Sequence, residues 1–254
     1  MSIQRHLSIF AAVVSVIIFS STALAGPPFV TDDPVPDDLG HGELYLGSTY
    51  SRASFAHGGA EAAAIPFTEI DYGIFPDAHA HIIATGFYDR QKQGGEADYG
   101  YGDTEIGLKY RFIHEEGWLP QVGVFPLLEL PTGNFHQGLG NGKLQVFMPI
   151  WLQKSWDKWT VFGGGGFFYN ANRTTARSFW RSGVVVQRDF SEQLTLGLEI
   201  YHETPAFPGL GGHTAFNVGG YYNFNDHYHL LFSAGRDIDG PNQFMTYSAL
   251  QYTW

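Results

Sequence analysis

From His41 onward the chain alternates, with apolar side chains on every second position and polar, charged or small ones between them, in runs of about ten residues. In 103–112, Thr104, Ile106, Leu108, Tyr110 and Phe112 take one face, and Asp103, Glu105, Gly107, Lys109 and Arg111 the other. In 193–201, Leu194, Leu196, Leu198 and Ile200 oppose Thr195, Gly197, Glu199 and Tyr201. In 143–153, Leu144, Val146, Met148, Ile150 and Leu152 oppose Lys143, Gln145 and Gln153, with Trp151 on the polar parity. A period of two belongs to a strand whose two faces meet different surroundings. It predicts about twelve strands, near 42–52, 65–75, 79–89, 102–113, 119–130, 142–154, 158–169, 179–190, 193–203, 213–224, 228–237 and 243–254.

The connections alternate too. After even-numbered segments they are short, as at Pro76-Asp77, Ser191-Glu192 and Asn225-Asp226. After odd-numbered ones they are mostly longer and rich in Gly, Pro, Asn or Gln, as in 90–101, 131–141, 170–178 and 204–212. Outer-membrane barrels are organised this way, with the short turns periplasmic. The predicted fold is therefore all-β, an antiparallel transmembrane β-barrel of about twelve strands over 41–254, with both ends periplasmic. On the last strand Thr246, Ser248, Leu250, Tyr252 and Trp254 share the outward face. Tyr252 and Trp254 are expected to be the assembly signal read by the barrel-assembly machinery.

Two segments precede the barrel. Arg5 and His6 stand before an apolar run, Leu7 to Phe19, and then Ala23-Leu24-Ala25. That run is too short to span about 30 Å of hydrocarbon. Residues 1–25 thus read as a Sec signal peptide, cleaved before Gly26. Residues 26–40, with Pro27, Pro28, Pro34 and Pro36, cannot be helix. They are expected to form an extended periplasmic leader or a partial plug folded up into the lumen, Asp32 and Asp33 meeting basic wall residues.

Composition narrows the chemistry. The 254 residues include 32 Gly, 21 Phe and 14 Tyr but no Cys, which removes disulfides, thiolate metal sites and thiol nucleophiles. A net charge of -11 argues against nucleic-acid binding, which needs a basic face. The glycines of 163–166 and 138–142 lack the ending and following helix of a phosphate loop. His79 with His81, and His227 with His229, offer two imidazoles each, but spacing fixes no third ligand, so no metal or cofactor is expected. No Gly-x-Ser-x-Gly or second zincin histidine is present, and no catalytic residue is assigned.

The inward parity carries the informative charges. Glu43, Glu69, Asp71, Asp103, Glu105, Glu129, Glu199 and Glu203 face Lys109, Arg111, Lys143 and Arg181. Strand direction puts Glu69, Asp103, Glu105, Glu129 and Glu203 near the outer mouth, opposed mainly by Lys143 and Arg181, and Lys109 and Arg111 toward the inner end. An acidic ring favours cations and neutral solutes.

Five ordered stretches carry a resemblance: 26–34 (GPPFVTDDP), 40–46 (GHGELYL), 102–112 (GDTEIGLKYRF), 125–133 (FPLLELPTG) and 149–155 (PIWLQKS). Together they resemble the outer-membrane transporter family named for the MetA pathway of phenol degradation. The resemblance implies an outer-membrane barrel that takes up small, including aromatic, compounds. The expected function is thus passive uptake of a small solute across the outer membrane of a Gram-negative bacterium. The expected partners are the lipid bilayer, lipopolysaccharide and the assembly machinery. A non-conducting, surface-binding barrel and an outer-membrane hydrolase are the alternatives.

Overall fold

Alternation on this scale has one stable outcome in lipid, because every backbone N–H and C=O must be bonded within the protein. The computed structural model, which describes residues 28–55, 58–91, 97–171, 177–206 and 211–254, is a closed antiparallel barrel. Its strands are β1 (Gly42–Phe55), β2 (Gly58–Phe75), β3 (Ala78–Gln91), β4 (Asp98–Tyr101), β5 (Thr104–Ile113), β6 (Gln121–Val124), β7 (Leu127–Leu130), β8 (Gln145–Trp156), β9 (Trp159–Asn170), β10 (Phe179–Asp189), β11 (Leu194–Glu203), β12 (His213–Asn223), β13 (Tyr228–Asp239) and β14 (Phe244–Thr253). β4 and β5 are one wall strand interrupted at Gly102-Asp103, and β6 and β7 another, interrupted at Phe125-Pro126, so the wall has twelve strands. The only described helix is a 3-10 turn, Phe135–Gln137.

β1 pairs with β14 to close the ring, Leu44 opposite Tyr252 and Leu46 opposite Leu250. The seam ends in a reciprocal pair of backbone bonds, Gly42 N–H to the Trp254 carbonyl at 3.2 Å and Trp254 N–H to the Gly42 carbonyl at 3.1 Å. Outward residues are apolar and exposed, among them Leu46, Leu108, Met148, Ile150, Leu198, Val218 and Leu250. Tyr72, Phe75, Tyr110, Phe112, Trp118, Trp156, Trp159, Phe190, Phe224, Tyr228, Tyr252 and Trp254 ring the end with the short turns, and Tyr99, Tyr101, Trp180 and Phe244 the other. Such paired girdles suit the two interfaces of a bilayer.

The sequence boundaries hold within a few residues except at β2, which starts at Gly58 rather than near 65. Pro66 interrupts the predicted strand because it cannot donate to a ladder. The wall accommodates it by a register shift against β3 between Ala64 and Phe67, and the run Ala60 to Ala64 continues the strand, its alanines buried. β1 lengthens to match, so these two strands form one hairpin where the sequence predicted a long spacer. The predicted signal peptide, 1–25, lies outside the described residues.

Deleting Trp254 removes both terminal seam bonds and its stacking on Tyr252, whose ring lies 5.9 Å away. The fraction of protein that migrates as folded barrel on unboiled gels is expected to fall several-fold. Deleting a residue from 92–95 is expected to leave it unchanged.

Candidate functional site: the lumen and its leader

The lumen is polar in charge but aromatic in bulk. On β8, β9 and β10, Phe147, Phe168 and Phe179 stack at 4.0 and 4.6 Å with nearly parallel rings, and the Arg181 guanidinium lies 4.7 Å over Phe168. Arg181 is paired with Glu203 at 2.6 Å, both buried. Four glycines stand in a row in β9, and there a Cβ on Gly164 would meet the Ile150 carbonyl oxygen at 2.1 Å and the buried Trp151 indole at 3.1 Å.

Residues 28–37 run inside this wall. The chain enters beside the short turns, where Leu39 bridges Gly73 and the Gly40 N–H bonds the Gly73 carbonyl at 2.9 Å. Asp32 accepts from the Lys109 ammonium at 3.0 Å, in a pair where both residues are buried. Glu199, wholly buried, accepts from the Val30 and Thr31 backbone N–H groups at 3.1 and 2.5 Å and from the Asn217 amide at 2.5 Å. Ser233 donates to the Pro28 carbonyl at 2.6 Å, and Phe29 packs edge-on to Phe162. The path is written into the wall as missing side chains. A Cβ on Gly183 would sit 2.0 Å from Thr31 Oγ1, and one on Gly73 2.0 Å from the Asp38 carbonyl oxygen.

Loop 131–144 turns inward at the opposite end. Asp103 accepts from the Gly133 and Asn141 backbone N–H groups at 2.8 and 2.6 Å, and Glu129 accepts from the Asn141 amide at 2.6 Å. Leu139 is buried beneath this loop. Asp103 and Glu129 therefore anchor a loop as well as lining the mouth.

Between leader and loop lies a plane of charge. His81 on β3 has Nδ1 2.6 Å from Asp71 and 3.7 Å from Glu69, and Nε2 3.3 Å from Glu105. His79 meets Asp37 of the leader at 3.0 Å. On the turn side a cavity of about 510 Å³ is lined by Asp32, Asp33, Asp37, Glu43, Glu69, Asp71 and Asp226 against Lys109. On the loop side a cavity of about 60 Å³ is lined by Asp103, Glu105, Glu129 and Leu139.

The expected positions sort accordingly. Glu69, Asp71, Glu105 and Lys109 meet near this plane, and Glu199 holds the leader. Arg111 sits at the short turns, bonded to Asp77 at 2.6 Å, and its guanidinium holds that turn carboxyl below the usual range. Lys143 is exposed before β8 begins. Glu69 does not join the outer mouth, because β2 runs further than its sequence suggests and leaves Glu69 in mid-strand beside Asp71. The inward-parity set read from the sequence holds carboxylates, lysines and arginines, and does not contain His79, His81 or Asp37. Their signal was available only through pairing, since His81 lies across from Asp71 in the β2–β3 register.

No protein-family model matches the chain, and no curated protein sequence does. Solved structures do. The COG4313 outer membrane channel from Pseudomonas putida F1 aligns with TM-score 0.69 at 16% identity, over 87% of this chain and 98% of that one. The translocator domain of the autotransporter NalP from Neisseria meningitidis aligns with TM-score 0.59 at 10% identity, over 85% and 89%. The NanC porin aligns with TM-score 0.57 at 8% identity, over 82% and 98%. At these identities the likeness is one of fold, shared by channels and by a translocator.

The buried Lys109–Asp32 pair tests the leader's attachment. Lys109→Met leaves a buried carboxylate uncompensated, a change that costs about 3–5 kcal/mol. It is expected to expose residues 28–37 to added protease, and the double change Lys109→Met with Asp32→Asn to restore most of the protection.

Proposed function

We propose that the chain is a narrow outer-membrane channel through which small molecules pass by diffusion, with residues 28–37 acting as a partial plug. The observation that carries this reading is the pair of cavities, a polar one of about 510 Å³ toward the short turns and a smaller, largely apolar one toward the inward loop, separated by the leader and the charged plane beneath it. A barrel that only displayed loops would have no use for two cavities inside its wall. Twelve strands lie between the filled eight-stranded barrel and the wide sixteen-stranded porin, a size suited to small solutes. The apolar exterior and aromatic girdles support a bilayer location, with lipopolysaccharide and the assembly machinery as partners, and the short turns are periplasmic. Small aromatic solutes are the class favoured by the sequence resemblance. The chemistry is read as passage rather than reaction, with Glu199 and Lys109 engaged in holding the leader and Asp103 and Glu129 in holding the loop.

The lining also sets a sign. The turn-side cavity presents seven carboxylates, those of Asp32, Asp33, Asp37, Glu43, Glu69, Asp71 and Asp226, against one lysine. The loop-side cavity adds Asp103, Glu105 and Glu129. Together they concentrate cations and repel anions, more strongly at low salt where screening is weak.

Conductance of the purified protein in a planar bilayer tests both statements. The full chain is expected to pass small, brief currents, and deletion of residues 28–37 to raise the unitary conductance several-fold. Silence in both folded forms would favour a surface-binding barrel instead. With Asp103, Glu105 and Glu129 changed together to amides, the reversal potential in a salt gradient is expected to move toward anions. An unmoved potential in a conducting variant would remove these side chains from the path.

A further inference from the structure

Across β2 and β3 the wall gathers more ligating atoms than an ion-pair network uses. Asp71 lies opposite His81 in the register, with Glu69 two residues before it on the same face. One ligand atom from each of Glu69, Asp71 and His81 lies within 4.8 Å of the others, and all three residues are buried. The set is poor in positive charge. Among the described residues the ion-pair partners of Glu69 and Asp71 are His79 and His81, and the nearby Lys109 bonds Asp32 at 3.0 Å. Buried carboxylates in this number must be neutralised, by a proton, an ion pair or a metal ion.

Two further observations point to the last of these. His79, only 4% exposed, holds its Nε2 with no hydrogen-bond partner, 4.0 Å from the same Asp71 oxygen that meets His81. Glu69 Oε2 is likewise buried and unpartnered. Both imidazoles are set in the arrangement usual for metal-binding histidines, with one ring nitrogen on a carboxylate and the other turned to the focus. The Asp37 backbone N–H points at His79 Nδ1 at 3.2 Å, and Asp37 Oδ2 lies 3.0 Å from the same nitrogen. With the ring proton on the Oδ2 side, the tautomer a bound metal would select, Nε2 carries the lone pair. His81 Nε2 faces Glu105 at 3.3 Å, which leaves Nδ1 toward Asp71 and Glu69.

We propose that Glu69, Asp71, His79 and His81 form a binding site for one divalent transition-metal ion in the middle of the lumen, with Asp37 and Glu105 orienting the two imidazoles. Mixed imidazole and carboxylate ligands suit zinc and its first-row neighbours, which bind such atoms at about 2.0–2.2 Å. The ion takes the place of the proton shared between His81 and Asp71. Because Asp37 belongs to the leader, the same ion braces the leader against β3. This site stands whether or not the barrel conducts.

The test uses the full mature barrel in detergent, stripped with a chelator and titrated calorimetrically with zinc ion alone. One equivalent is expected to bind saturably. His81→Asn and Asp71→Asn are each expected to weaken binding by at least about a hundredfold, Asp37→Asn and Glu105→Gln by about 10–100-fold. His227→Asn, at an exposed turn, is expected to leave it unchanged. Folding of each variant is read from its migration on unboiled gels. If a variant does not fold, X-ray absorption at the zinc edge of the wild-type protein decides, with a shell of oxygen and two imidazole nitrogens expected. The absence of saturable binding by the folded wild type, undiminished binding in folded His81→Asn, or a shell without imidazole would each overturn the proposal.

Discussion

A membrane interior offers the backbone no partner, and this single fact orders the molecule. It requires a ring without edges, and the alternation along the chain supplies one whose outside is apolar. The ring of twelve strands then encloses more space than its inward side chains fill. Charged groups cannot face lipid, so they collect within, and once collected they must be paired or hydrated. The leader, the inward loop and the charged plane are three solutions to that secondary problem. Each settles a different part: Glu199 and Lys109 with the leader, Asp103 and Glu129 with the loop, and His81 with Asp71 and Glu105 in the plane.

Much of the ring was legible because a strand's period is local. Leu198 and Ile200 fall outside, Glu199 and Tyr201 inside, as alternation alone requires. What was not legible depends on neighbours in space. Pro66 hid the upper half of β2, since the shift in register that absorbs it involves β3 as well. The bonds by which Asp103 holds residues 133 and 141 join positions with no sequence relation. Similarly, His79 and His81 read as a bare pair until the β2 register set Asp71 and Glu69 beside them. One signal was present and unread: Gly73, Gly123, Gly183 and Gly197 all break the bulk of the inner face, and a Cβ at each would collide with, or press on, the leader.

The division of labour among the carboxylates follows from depth. Those at the loop end are bound by backbone N–H groups and so act on chain conformation. Those in the middle meet imidazoles, and those at the turn end line open volume. A change of one charge therefore has different consequences along a single axis: loop position, leader position or local ion concentration.

The leader also bears on the mechanics of the ring. Phe29 rests on β9, which lies six strands from β1 in either direction, while Leu39 is bridged to Gly73 on β2 next to β1. The segment is thus close to a diameter, pinned on the way by Lys109 and Glu199. A hoop with a strut across it resists flattening, whereas an empty hoop of hydrogen-bonded strands yields to lateral pressure from lipid. The cross-section of this barrel is set by a chord of some ten residues as much as by the number of its staves.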